Sequence, residues 1–190
     1  MSGNKISSES FHKLDDPRRE LILSKRKLFK ALGDLRNKAV ADLGSGTGYY
    51  TKDLVKLTRP LGAVYCLDVN DELLDILKTR TIKLDRIQYI PMDEASIPID
   101  DHQIDAVLSV MTAHEFNDPY DTFNEIKRIM KTGGNLVIAD WSPYGKLNEG
   151  PPKDIRLSED NIIKHATDAG FEFVKNFSGN SELYILLFTA

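Results

Sequence analysis

Apolar positions along this chain follow two rhythms. Short apolar runs, several ending in a carboxylate, alternate with stretches in which apolar residues recur every three or four positions. Lys38–Asp42, Ala63–Asp68, Arg86–Met92, Ile104–Val110 and Asn135–Trp141 read as strands, and runs this continuous suit strands buried on both faces. Between them, Thr47–Thr58, Asp71 to about Thr81 (Leu73, Leu74, Ile76, Leu77) and the stretch after Asp118-Pro119 (Phe123, Ile126, Ile129, Met130) read as helices. Asn70 and Asp118 stand at N-cap positions, Pro119 fits a first helical turn, and Gly133 is expected to end that helix. Ser158 caps a further helix carrying Ile162, Ile163, Ala166 and Ala169. The last strands, Phe171–Phe177 and Glu182–Thr189, are joined by Ser178-Gly179-Asn180-Ser181, a connection short enough only for antiparallel neighbours.

Five βα units closed by a hairpin define an α/β protein with a mostly parallel, doubly wound sheet and one reversed strand. The 190 residues suit one domain. Within it, residues 1–37 form an N-terminal extension and helix, and residues 38–190 the core. Met1–Ser10 is polar and reads as frayed. Asp16 and Pro17 then start a helix whose Leu21, Leu28 and Leu32, with Ile22, Phe29 and Leu35, share one face, and Gly33 breaks it. Tyr144–Leu157 is the long irregular segment. Following strand five, at the sheet edge where open α/β folds bind ligands, it reads as a lid over substrate.

Composition narrows the partners. A net charge of −4 argues against a broad phosphate-neutralising surface, so no nucleic-acid partner is expected. A single cysteine, Cys66, rules out a disulfide framework or a cysteine metal cluster and reads as a buried, inert thiol. The four histidines form no H-x-x-x-H pair, and no metal site is expected. Without an apolar stretch of about 18 residues or an apolar signal core in Met1–Ser10, the expectation is a cytoplasmic protein, monomer or homodimer, with no membrane partner.

The chemistry concentrates at Val40–Gly48, Val-Ala-Asp-Leu-Gly-Ser-Gly-Thr-Gly, a strand running into alternating glycines. A dinucleotide fingerprint, G-x-G-x-x-G, would need glycine at position 49, which is Tyr49. Asp42, just before the loop, would repel a pyrophosphate but suits an ammonium group. Twenty residues after Gly48, the next strand ends in Asp68, where nucleotide-type βαβ units place a ribose-binding carboxylate.

The D-x-G-x-G-x-G loop and Asp68 resemble motifs I and II of class I S-adenosylmethionine-dependent methyltransferases. Met92-Asp93-Glu94-Ala95 is similar to that family's adenine-binding turn, and Ile104-Asp105-Ala106-Val107-Leu108-Ser109 to its fourth strand. Met130-Lys131-Thr132-Gly133-Gly134 resembles the turn before strand five; Arg156-Leu157-Ser158 and Ala169-Gly170-Phe171 complete the pattern of the small-molecule branch, which includes ubiquinone/menaquinone-type and arsenite methyltransferase-like enzymes. The likeness covers roughly residues 38–190. It implies a Rossmann-like, seven-stranded sheet in the order 3-2-1-4-5-7-6 with the last strand antiparallel, helices on both faces, an N-terminal helical cap, and S-adenosyl-L-methionine as cofactor.

The resemblance also implies roles. Asp42 meets the cofactor's ammonium, and Gly44, Ser45, Gly46 and Gly48 let its methionine portion lie along the backbone. Asp68 accepts the ribose hydroxyls, Val69 and Met92 sandwich the adenine, Asp93 and Glu94 belong to the adenine turn, and Ser109 and Val110 offer carbonyls to the ammonium. A sulfonium methyl needs little activation, so proximity and orientation carry most of the reaction. His114 is the candidate base if the acceptor is protonated, the alternative being a structural histidine bonding a loop carbonyl. His12 is a candidate lid contact, and Trp141 and Tyr144 are candidate pocket walls. Arg156 either pairs with an anionic group or pins its loop to Asp154 or Glu159. Asn/Asp-Pro-Pro-Tyr, found in many nitrogen-directed methyltransferases, is absent after strand four, and one cysteine is too few for arsenite chemistry. The expected function is methyl transfer to a small-molecule oxygen, nitrogen or carbon; the alternatives are a protein or RNA methyltransferase working with a partner subunit, and a non-catalytic cofactor-binding subunit.

Overall fold

A computed structural model describes residues 14–16, 18–93, 95–147, 149–177 and 181–190. Seven strands form one sheet: β1 (Ala39–Leu43), β2 (Ala63–Asp68), β3 (Ile87–Pro91), β4 (Ile104–Val110), β5 (Met130–Trp141), β6 (Glu172–Asn176) and β7 (Leu183–Thr189). Their order is β3-β2-β1-β4-β5-β7-β6, and β7 runs antiparallel to both neighbours, as expected from the short final connection. The helices are α1 (Arg19–Ile22), α2 (Lys25–Leu32), α3 (Thr51–Thr58), α4 (Asp71–Thr81), α5 (Pro119–Ile129) and α6 (Glu159–Asp168).

Strand alternation divides the core between the sheet's two faces. Val40, Val64, Cys66, Ala106 and Leu108 pack on one side with Leu28 and Leu32 of α2, Leu54 of α3 and Leu77 of α4. Ala41, Leu43, Leu67, Val107 and Leu136 pack on the other with Phe123 and Ile126 of α5 and Ile162 of α6. Burial on both faces is why these strands carry apolar residues at consecutive positions. Burial and nearby Asp42 push the Cys66 thiol well above its ordinary range, which suits an inert core residue.

The caps form as their sequence suggests. Asn70 accepts the N–H groups of Glu72 (3.0 Å) and Leu73 (3.4 Å), and Asp118 those of Tyr120 (2.9 Å) and Asp121 (3.3 Å). Ser158 and Asn161 close a reciprocal capping box.

Four expectations are corrected. The N-terminal helix is two short helices, because the chain extends at Leu23-Ser24; Leu23 turns inward, whereas Leu21 is 85% exposed and off the apolar face. Asp16 takes the Arg18 N–H (2.8 Å) rather than capping α1, and Pro17 lies outside the described residues. The helix expected from Thr47 begins at Thr51, since residues 47–50 continue the glycine turn. Gly133 does not end α5. The chain becomes extended at Met130 and enters β5 directly, and Gly133 (φ 78°) bends that strand where its N–H meets Ala190 O (2.7 Å).

Candidate active site

The carboxyl ends of β1, β2 and β4 converge where the strand order reverses, the usual ligand crevice of an open α/β sheet. After Leu43 the glycine loop folds across the tip of β2: the N–H groups of Gly44 and Ser45 both donate to Leu67 O (2.8 and 3.0 Å). Gly44 has φ 71°, and a Cβ there would stand 2.3 Å from Thr112 Oγ1, so only glycine lets this loop meet the segment after β4. Gly46 N–H donates to Asp68 Oδ2 (2.8 Å) and Asn70 N–H to Asp68 Oδ1 (2.9 Å). Asp68 therefore ties the loop to the start of α4, and each oxygen of a carboxylate can accept more than one donor.

Asp42 is buried at the tip of β1, where its Oδ2 accepts the Thr51 hydroxyl (2.8 Å). Burial pushes its carboxyl up to about 6; the Thr51 hydrogen bond opposes this, the nearby charge of Asp68 adds to it, and Arg19 counters it. A cation beside Asp42 would relieve both the burial and the repulsion from Asp68.

These residues open on a cavity of about 910 Å³. Of the sequence-predicted residues, Asp42, Gly44, Ser45, Gly46, Asp68, Val69, Met92, Val110, His114 and Trp141 line it together. Ser45 Oγ is buried there with no hydrogen-bond partner among the described residues.

Five predicted residues lie off the wall, Arg156 among them. Gly48 (φ 88°) faces helix α4, where a Cβ would stand 2.2 Å from Leu77 Cδ1, so it is a packing glycine. Ser109 is fully buried and paired between β1 and β5. Asp93 is exposed in a tight turn, accepting the Ala95 N–H (3.0 Å). Tyr144 is 79% exposed. His12 and Glu94 lie outside the described residues.

Arg156 is buried, but its guanidinium donates to the carbonyls of Pro151 (3.0 Å), Ser142 (3.1 Å) and Glu149 and stacks over the Trp141 ring at 5.3 Å. It pins the loop through backbone carbonyls, not through Asp154 or Glu159. Pro151, Pro152 and Ile155 of that loop line the cavity, in keeping with its reading as a cover.

His114 sits in a short 3-10 turn after β4, with its side chain 7% exposed. Its ring Nδ1 lies 2.8 Å from Asp140 Oδ1 and its backbone N–H donates to Asp140 Oδ2 (3.0 Å). The partner is thus a fully buried carboxylate at the end of β5, not a loop carbonyl. Burial lowers the His114 pKa, but the hydrogen bond and charge of Asp140, helped by Glu115, outweigh it, and the net direction is upward against a counteracting Arg156.

Asp140 went unnoticed in the sequence, although it ends an apolar strand as Asp42 and Asp68 do. Arg19 was also missed: it lines the cavity with its guanidinium over Tyr49 (4.9 Å) and Tyr50 (5.7 Å), donating to Leu14 O and to Met111 Sδ (3.3 Å). Its charge lay among the polar positions of a helix read only for its apolar face. Among the described residues no cluster of His, Cys, Asp and Glu is suited to a metal ion, and no helix is long and apolar enough to cross a membrane.

Known proteins share this fold and its family pattern. The family model described as a methyltransferase domain matches residues 41–138. The ubiquinone/menaquinone biosynthesis C-methyltransferase UbiE of Ectopseudomonas mendocina (strain ymp) is 25% identical over 126 residues, covering 65% of this chain and 49% of that protein. The demethylmenaquinone methyltransferase of Staphylococcus aureus (strain JH9) is 25% identical over 118 residues, 62% of this chain and 49% of that protein. The chain thus spans about half the length of these two curated relatives. A solved SAM dependent methyltransferase from Aquifex aeolicus is 27% identical and superposes with a TM-score of 0.90 over 97% of this chain and 98% of that one. Fold and site together define a Rossmann-like methyltransferase domain. The chain belongs to the methyltransferase-domain family, in the class I group whose methyl donor is S-adenosylmethionine.

Proposed function

We propose that this protein transfers the methyl group of S-adenosylmethionine to a small, largely apolar molecule. The observation that carries this reading is the pair of buried carboxylates, Asp42 and Asp68, flanking a loop whose Gly44 leaves no room for a side chain. The donor set fits the cofactor: Asp42 takes the ammonium, Asp68 the ribose hydroxyls, Val69 and Met92 flank the base, and the buried Ser45 hydroxyl gains a partner. When bound, the cofactor supplies a methyl group on a sulfonium, whose leaving group is a neutral thioether.

Beyond the cradle, the cavity wall turns apolar at Met111, Phe116, Trp141, Pro152 and Ile155. That composition suits an acceptor enclosed by hydrophobic contact, with orientation supplying most of the acceleration. The names of the relatives, a ubiquinone/menaquinone biosynthesis C-methyltransferase and a demethylmenaquinone methyltransferase, support a small-molecule acceptor, and the first favours carbon as its receiving atom.

Two measurements test this. Calorimetry should show saturable binding of S-adenosylhomocysteine and none of NAD or FAD; saturation by a dinucleotide instead would overturn the cradle. Methyl-labelled cofactor incubated with size-fractionated cell extract should label the low-molecular-weight fraction. Label confined to macromolecules would refute the small acceptor.

A further inference from the structure

We propose that His114 and Asp140 form a base pair in which Asp140 positions His114, so that the acceptor is a neutral molecule with a weakly acidic, enol- or phenol-type hydroxyl. This rests on the methyl-transfer reading and adds to it a chemical class of substrate.

The argument starts from Asp140. It is fully buried at the tip of β5 and is met by N–H donors on both oxygens: the Trp141 N–H (2.7 Å) and His114 Nδ1 on Oδ1, and the His114 backbone N–H on Oδ2. One carboxylate thus grips both the backbone and the ring of His114. With Nδ1–H donating to Asp140, the neutral ring carries its lone pair on Nε2.

His114 itself lines the cavity beside Glu115, Phe116 and Trp141, while Asp140 lies behind it. A histidine retained only for packing would need neither a place on a ligand cavity nor a buried carboxylate, which is costly to desolvate. Nε2 is 3.8 Å from Glu115 Oε1, beyond hydrogen-bond length. The approach is also strained: Met111, which turns the chain out of β4, has φ 56°. The charged and titratable groups around the ring are Asp140 on β5, Glu115 in its own turn and Arg156 at the end of the covering loop, and the two carboxylates prevail in raising its proton affinity.

An acceptor that is already an anion or a free amine has no use for such a base. A neutral enol or phenol does. Its O–H bond breaks with the proton going to Nε2, and the freed electron pair, on oxygen or through conjugation on carbon, forms the new bond to the methyl carbon. The carbon–sulfur bond breaks with its pair going to sulfur, and the imidazolium releases its proton to water.

The first test is nitrogen and carbon NMR of the four histidines in the wild-type protein bound to S-adenosylhomocysteine, with His114→Gln to assign the resonance. His114 should be the Nδ1–H tautomer and should titrate above the ordinary histidine range; in Asp140→Asn it should titrate lower. A predominant Nε2–H tautomer in the wild type overturns the pair, and this reading requires no variant to fold.

The second test is methyl transfer to the active small-molecule fraction as a function of pH. His114→Gln should lower kcat by roughly 100-fold or more with S-adenosylhomocysteine affinity unchanged, and should abolish the acidic limb of the profile. Asp140→Asn should lower kcat by about tenfold or more and move that limb to lower pH. Full activity in both variants, or a loss with the pH profile unmoved, refutes the proposal. If no form labels any small molecule, the small-acceptor reading fails, while the tautomer and titration of His114 still decide the pair.

Discussion

Lowering the pH from 7 to 5 should weaken S-adenosylhomocysteine binding about tenfold, and Asp42 is the reason. In the free protein its carboxyl, pushed up to about 6 from an ordinary 3.8, is largely ionised at neutral pH and largely protonated at pH 5. An ammonium ligand binds the ionised form, because a neutral carboxyl offers it no charge. Below about 6, the ligand must first displace a proton, and affinity falls about tenfold per pH unit until the carboxyl of the complex also protonates. The α-amino group, with an ordinary pKa of about 8, stays cationic throughout, so the change belongs to the protein. Stability of the ligand-free protein runs the opposite way. The folded carboxyl holds a proton that the unfolded one has lost, so stability present below pH 3.8 is lost as pH rises through about 6, by about 3 kcal/mol. Isothermal titration at several pH values, paired with denaturant unfolding, measures both slopes. Asp42→Asn should flatten the affinity profile. A dissociation constant that is flat between pH 5 and 7 in the wild type would refute an ammonium site at Asp42.

Asp68→Ala should cost about 1.5–3 kcal/mol of cofactor binding, roughly 10- to 150-fold in Kd, since it removes the ribose acceptor and releases the Gly46 and Asn70 N–H groups; an unchanged Kd by calorimetry would exclude that role. Gly48→Ala forces a Cβ to within 2.2 Å of Leu77 Cδ1 at φ 88° and should destabilise the fold by about 1–3 kcal/mol, read as a lower denaturation midpoint; a wild-type midpoint would contradict the packing assignment. Arg156→Met removes the donors that hold the carbonyls of Ser142, Glu149 and Pro151. Limited proteolysis should then cut near residues 149–152 faster and the acceptor KM should rise, whereas S-adenosylhomocysteine affinity should stay within about twofold, since the carboxylates proposed to hold it, Asp42 and Asp68, stand on β1 and β2.

What was readable in the residues was local. Parallel strands buried on both faces appear as unbroken apolar runs, so β1, β2, β4 and β5 stood out, and the caps Asn70, Asp118 and Ser158 announce themselves by residue type. The strand-terminal carboxylates Asp42 and Asp68 could be singled out because a glycine loop follows the first and a fixed interval separates the second from it. Asp140 ends its strand in the same manner, yet its pairing with His114 spans 26 residues and depends on which strands are neighbours, which spacing does not reveal. The same limit applies to Arg19 against Tyr49 and to Arg156 against carbonyls that any residue type could offer. The break at Leu23-Ser24 was hidden because apolar spacing continues across it, leaving Leu21 on the wrong side.

The enclosure around the ligand is assembled from chain of two kinds. Strands β1, β2 and β4 are laddered on both edges, so the tips that hold the donor cannot shift without disturbing the centre of the sheet. Ile22, Pro151, Pro152 and Ile155 belong to segments without strand partners, fastened by a handful of side-chain bonds. Replacement there disturbs little beyond the shape of the opening. Selection can therefore exchange one acceptor for another through those outer residues while the donor end stays fixed, which is how a single scaffold diversifies its products without having to fold anew.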